Sequence, residues 1–329
     1  MAKYTAIGGQ ALIEGIMMKS PEKSAIAVRT PENEIDITYL EEKSLREKYK
    51  FFALPVIRGV VAFVESLKTG YKALEISADK SGFTDLDDGT EPKTEEQKQK
   101  DKKTSGAILS AAMVVGAVLG VALAVGLFML LPRLCVQGLK SLFGSDFSPL
   151  VRSLIEQGIK LAAFVLYVYL ISLEKDIKRV FMYHGAEHKT IFCYEKGLPL
   201  TVENVRPQRR FHPRCGTSFL ILMIIVSLVF STVVQVLFKG VYDNIAVWVI
   251  IKILLVPIIC GAGFEVLRFT GKYDNALTRI ISAPGLWIQR LTTKEPEDGM
   301  IEIAIAALRA CEPSTPDVDR SIDNAKDDI

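Results

Sequence analysis

The chain has 329 residues, 49% of them hydrophobic and 24% charged, which excludes a disordered or collagen-like polymer. Mean hydropathy is +0.26, and the apolar residues fall in blocks too long for buried strands, so a membrane protein is the starting class. With 40 Lys+Arg against 38 Asp+Glu the net charge of +2 supplies no concentrated basic face, and no nucleic-acid partner is expected.

From the N-terminus, residues 1–50 read as a small β-rich region. Residues 11–18, 24–29 and 35–40 are runs rich in Ile, Val, Met and Thr, separated by Ser20-Pro21 and Thr30-Pro31-Glu32-Asn33, as in an antiparallel meander. The first ten residues lack the continuous apolar core of a signal peptide, so this region is expected in the cytoplasm. Gly8-Gly9-Gln10-Ala11-Leu12-Ile13-Glu14-Gly15 puts permissive residues at both ends of a short apolar run, with Gln10 and Glu14 on one side of a strand; a turn is expected there.

Residues 51–78 predict an amphipathic helix: Ile57, Val60, Val61, Val64, Leu67, Tyr71 and Leu74 recur at three- and four-residue intervals. It lies either in the membrane interface or against the strands. Residues 79–105 read as a disordered charged linker, because 79–104 hold 14 charges in 26 positions and cannot bury enough surface to offset chain entropy. The tail, 312–329, has the same character.

Four spans follow from hydropathy. Residues 106–131 and 216–238 are uncharged, and 245–264 contain one charge, Lys252. Residues 154–173 contain Glu156 and Lys160, four apart and able to pair on one helical face. The fold class expected is therefore an α-helical polytopic membrane protein with four transmembrane helices plus a small cytosolic α+β part. Orientation follows from Lys and Arg in the connections: 174–215 carries nine, against Arg133, Lys140 and Arg152 in 132–153 and Lys239 alone between the third and fourth spans. Both termini and the 174–215 loop are then cytoplasmic in a bacterial cell membrane. Beyond the last span, 265–311 reads as cytosolic or interfacial helices, with Trp287 suited to the interface and Pro284-Gly285 as a turn.

The five cysteines, at 135, 193, 215, 260 and 311, show no disulfide pattern. Cys215, however, stands close to all three histidines. His184-Gly185-Ala186-Glu187-His188 places two imidazoles at i and i+4 with a carboxylate beside them, the H-x-x-E-H arrangement in which histidines hold zinc and the glutamate is the base. His212 and Cys215 can supply a third and a fourth ligand, and imidazole with thiolate suits zinc or a similar transition ion. Taken singly, these would be solvated loop histidines and a small buried cysteine, and Glu187 a surface ion pair with the neighbouring lysine. Glu265 is a further candidate ligand, although Arg268 offers it an ordinary ion-pair partner.

The Gly8 to Met18 stretch, Tyr183 to Lys189, His212 to Phe219 and Pro284 to Pro296 together resemble the YqhQ-like family of bacterial membrane proteins. That resemblance implies a membrane location and a metal-dependent enzyme, with no substrate attached. The leading expectation is a membrane-embedded zinc hydrolase acting at the bilayer surface on a peptide or lipid-linked molecule, with Glu187 as catalytic base and His184, His188 and His212 as metal ligands, Cys215 closing a four-ligand site in the structural reading. The alternatives are a non-catalytic binding or assembly protein with a structural zinc, and a small transporter using Glu156, Gln235 and Lys252.

Overall fold

The computed structural model describes residues 7–41, 44–83, 114–116, 118–144, 146–213, 215–238, 240, 244–273 and 275–312. It is mainly helical, with one four-stranded antiparallel sheet in the order β1-β2-β3-β4. The strands are β1 (Gly8–Leu12), β2 (Gly15–Lys19), β3 (Ser24–Arg29) and β4 (Ile35–Leu40). The meander is as expected, except that 11–18 is not one strand. It breaks at Ile13-Glu14 into a two-residue hairpin, Leu12 pairing Gly15, with Glu14 at φ 48°.

The pleat assigns alternate residues of the central strands to two cores. Ile16, Met18, Ala25 and Ala27 face one cluster, built with Tyr183, Ala186 and Ile191 of one helix and Ile301, Ala304 and Leu308 of another. Met17, Ile26 and Val28 face the other, against Leu40 and Ala73. Covered on both sides, β2 and β3 are buried almost throughout, which is why they read as continuous apolar runs.

Among the described residues, eight longer helices surround and extend this unit: α1 (Ile57–Lys80), α2 (Val114–Phe143), α3 (Pro149–Ile171), α4 (Lys175–Glu195), α5 (Gly216–Leu237), α6 (Ile245–Lys272), α7 (Ala276–Thr292) and α8 (Asp298–Cys311). Among the described residues, α2, α3, α5 and α6 are long and apolar enough to cross a membrane. α1 meets the sheet through Ala73 and Ile76, the second of the two placements open to it in sequence, and also lies along α6.

Several boundaries differ from the sequence reading. The first span was expected to stop before Pro132, yet α2 runs on to Phe143. A π-helical turn, Gly126–Leu130, precedes the proline, so the wider hydrogen-bonding pattern absorbs its missing N–H. Residues 174–215 are not simply a loop: 175–195 form α4, started by the Glu174 side chain accepting from the Asp176 and Ile177 amides and stopped at Gly197, φ 67°. Pro284-Gly285 is not a turn but lies inside α7, whose capping box is Asn275 with Thr278. Glu156 pairs with Lys252, 3.2 Å away on α6, rather than with Lys160. Glu265 pairs with Arg58 of α1 through two hydrogen bonds of 2.7 and 2.6 Å rather than with Arg268. Most of the linker, 84–105, and the tail beyond residue 312 lie outside the described residues.

Candidate metal centre

α4 lays one face on β1 and turns its His184, Glu187 and His188 face toward the N-terminus of α5. The imidazoles of His184 and His188 meet edge to face one turn apart, centroids 4.4 Å from each other and planes inclined by 63°. Cys215, the N-cap residue of α5, comes from the opposite side and places Sγ 3.2 Å from His184 Nε2. Each of the three residues offers a ligand atom within 4.8 Å of the others.

The second nitrogen of each imidazole sets its tautomer. His184 Nδ1 lies 2.8 Å from the carbonyl of Thr292 at the end of α7, and His188 Nδ1 lies 2.5 Å from the carbonyl of Arg210. A carbonyl can only accept, so both Nδ1 atoms carry the proton and both Nε2 atoms present lone pairs. Nδ1–H to a backbone carbonyl is the outer-shell bond that orients metal-binding histidines.

Burial sets the charge states. It holds the His188 imidazole below its ordinary range, and the His184 ring beside it adds to the effect. Burial pushes the Cys215 thiol up, but whenever the His188 ring carries a second proton its charge and hydrogen bond, together with hydrogen bonds from Thr217, hold the thiol below its ordinary value. Thiolate character is what a metal ligand needs.

Glu187 is buried, not solvated, and Lys189 is ion-paired with Glu295 instead. The Glu187 carboxylate accepts from the Gly9 amide of β1, while its Oε2 has no hydrogen-bond partner. Burial, with the Cys215 thiolate nearby, raises its pKa to about 7 against the pull of His184 and Gly9. A carboxyl poised there can both take and return a proton near neutral pH.

His212 occupies a different position. Its ring centroid is 5.5 Å from that of His188 and 4.8 Å from that of Phe192, and its Nε2 lies 3.8 Å from Glu195 Oε2. Its backbone is clamped by Gln289, which accepts from the His212 amide and donates to the His212 carbonyl, both at 2.7 Å. Thus His184, His188, Glu187 and Cys215 converge, with His212 one ring outward. Glu265 takes no part, being held by Arg58.

The structure also shows why the two remaining motifs accompany the histidines. Gly9 lets β1 run against Glu187, where a Cβ would come within 2.9 Å of the side chain. Glu14 receives Arg179 in two hydrogen bonds of 2.5 and 2.6 Å, and the Tyr183 hydroxyl at 3.0 Å, tying the hairpin to the start of α4. Gly185 leaves room for the Lys294 carbonyl, and the Lys294 amide donates to the Phe181 carbonyl at 2.8 Å. Sequence reasoning missed Gln289, Thr292 and Glu295, since backbone carbonyls and clamps leave no ligand pattern. Their signal was their place in the Pro284 to Pro296 stretch, which has no nucleophile or base in recognisable order.

The family model described as "Protein of unknown function (DUF1385)" matches residues 54–314. The chain belongs to this family. It is 36% identical over 304 residues to the "Uncharacterized protein YqhQ" of Bacillus subtilis (strain 168), covering 92% of this chain and 91% of that protein. No solved structure matches it.

Proposed function

We infer that this is a multi-pass protein of the bacterial cytoplasmic membrane that binds zinc, or a similar transition ion, on its cytoplasmic side and uses it for hydrolysis. The observation that carries the reading is the convergence of His184 Nε2, His188 Nε2 and Cys215 Sγ, with both Nδ1 atoms committed to carbonyls. Tetrahedral zinc with bonds of 2.0–2.3 Å would hold such atoms roughly 3.4–3.8 Å apart, which the cluster accommodates with small side-chain shifts. Three protein ligands leave a position open, the pattern of catalytic rather than structural zinc.

When bound, zinc would supply a water acidic enough to attack at neutral pH. Glu187, with Oε2 unengaged, would be the group that holds and moves a proton, at that oxygen. The Gly9 amide fixes the other end of the carboxylate. Thr292 and Arg210 keep both imidazoles in the ligand tautomer, and Lys189, Glu295 and Arg210 tie the two supporting segments together. The site adjoins the end of the apolar bundle, so a peptide or lipid-linked substrate at the bilayer surface would reach it.

A second reading, a non-catalytic assembly protein with a structural zinc, rests on His212, which would need to swing toward His188 to close a fourth bond. Metal analysis of purified single-site variants tests both. Expected is loss of most metal in His184→Ala, His188→Ala and Cys215→Ala, and full metal with loss of complementing activity in Glu187→Gln. Loss of metal in His212→Ala as well, with Glu187→Gln still active in a deletion strain, would favour the structural site.

A further inference from the structure

Residues 45–56, between β4 and α1, leave large apolar side chains uncovered. They form a single helical turn, Leu45–Lys48, then a 3-10 turn, Lys50–Ala53, and enter α1 through Pro55 and Val56. Tyr49, Phe51, Leu54 and Val56 are exposed, Phe51 to 62%, while Phe52 packs against the rings of Tyr49 and Phe51. The segment is nonetheless held in place. Glu65 of α1 accepts from the Leu45 amide at 2.6 Å and from Ser44 Oγ at 3.1 Å, and pairs with Arg46. An ordered apolar patch that the chain itself leaves open marks an interaction surface.

Packing against the long apolar helices fixes the level of this patch. Val56 lies against Gly261 and Gly59 against Phe264, where α6 reaches the end of its apolar run at 245–264. Glu265, the first charge after that run, is paired there with Arg58. On the other side, the Phe63 ring centroid is 6.0 Å from that of Phe219 near the start of α5. Gly261 and Phe219 each lie three residues inside the end of an apolar run, about 5 Å at a rise of about 1.5 Å per residue. Two helices of membrane length thus place the start of α1 at one depth, near the border between hydrocarbon and head groups.

Charge selects what covers the patch. Residues 43–76 carry seven Lys and Arg against three Glu. Lys48 and Lys50 are exposed on either side of Tyr49, with no ion-pair partner among the described residues, and the Lys48 ammonium lies 5.3 Å from the Tyr49 ring centroid. Aromatic and aliphatic tips flanked by lysines fit the acyl border of a bilayer whose head groups are anionic.

We propose that Lys48 to Val56 is a lipid anchor: Phe51, Leu54 and Val56 enter the acyl border of the adjacent leaflet, and Lys48 and Lys50 meet anionic head groups. Through Glu65 and α1 the anchor holds the sheet against the membrane. The proposal rests on α5 and α6 crossing the bilayer, and on neither zinc nor hydrolysis.

The full chain is reconstituted in nanodiscs of phosphatidylglycerol or of phosphatidylcholine, with Cys135→Ser removing the one native cysteine that is not buried. Phe51→Cys, Leu54→Cys, Glu32→Cys and Val229→Cys, made one at a time, each carry a nitroxide. Accessibility to oxygen, which concentrates in lipid, is compared with that to a neutral nickel chelate, which stays in water. The oxygen-to-nickel ratio should be several-fold higher at 51 and 54 than at the exposed Glu32 position, and approach that of Val229 in the middle of α5. Lys48→Glu combined with Lys50→Glu should lower the ratio at both positions in phosphatidylglycerol and leave it unchanged in phosphatidylcholine. Nickel access at 51 and 54 equal to that at 32 overturns the anchor, and if Val229 is equally open to nickel the spanning reading falls with it. Low access to both reagents would show a protein surface, such as a second copy of the chain, on the patch, and an equal effect of the lysine changes in both lipids would remove the charge match; either result also overturns the proposal.

Discussion

A methyl group on Gly9 would lie 2.8 Å from the Met17 carbonyl and 2.9 Å from Cγ and Cδ of Glu187, whereas one on Gly8 would meet nothing within 4 Å. Neighbouring glycines thus have different reasons to be there: Gly9 sets how closely β1 approaches the carboxylate. Gly9→Ala is expected to cost about 1–3 kcal/mol through overpacking, with Gly8→Ala within about 0.5 kcal/mol of wild type. Chemical denaturation of the two purified variants side by side measures the difference, and equal midpoints would refute the close approach. Residue-scale logic was partly legible in sequence. The i, i+4 spacing of His184 and His188 put both rings on one face because the helical period dictates it. The role of Gly9 was not, because a glycine in a list of residues does not say what presses against it.

At the scale of elements, α1 crosses α6 where both lack side chains. A Cβ on Gly59 would come within 2.7 Å of Phe264 Cβ, and one on Gly261 within 2.4 Å of the Val56 carbonyl, so the two helices meet backbone to backbone. The Arg58–Glu265 pair, partly exposed on both sides, closes the same junction. Gly261→Val should therefore separate α1 from α6 and lower the thermal midpoint by several degrees, on the order of 1–3 kcal/mol of overpacking. Gly158→Ala, where nothing lies within 4 Å, should be neutral or slightly stabilising, since alanine is the better helix former. Equal midpoints for the two variants would show that the crossing carries no weight. Both charge pairs expected from short spacing, Glu156 with Lys160 and Glu265 with Arg268, are replaced by long-range partners. Helical spacing brings such groups near each other, but a partner on a packed neighbour can reach the carboxylate at shorter range.

For the molecule as a whole, the proposed orientation rests on the charge of the connections and yields an expected outcome. A cysteine introduced at Asn204 should react with a membrane-impermeant maleimide only after the cells are opened, and one introduced at Asp243 in intact cells. The native cysteines Cys193, Cys215, Cys260 and Cys311 are buried, and the half-buried Cys135 is replaced by Ser so that the background stays low. Labelling of the Asn204 position in intact cells would reverse the assignment. Orientation and the metal reading stand together here, since the sheet unit and the His/Cys group lie at the same end of the bundle.

Taken alone, the sequence determined which segments are apolar for the length of a bilayer, that the N-terminal region is an antiparallel meander, and that two histidines and a glutamate share a helical face. All three follow from composition or from the short periods of helix and strand. Only the tertiary structure decided that Cys215 rather than His212 faces those imidazoles, that Thr292 and Arg210 set their tautomers, and that Lys252 holds Glu156 across the bundle. These contacts join residues tens to about a hundred positions apart, often through backbone carbonyls that every residue possesses. No local period encodes them, and they arise only when helices and sheet pack at particular distances.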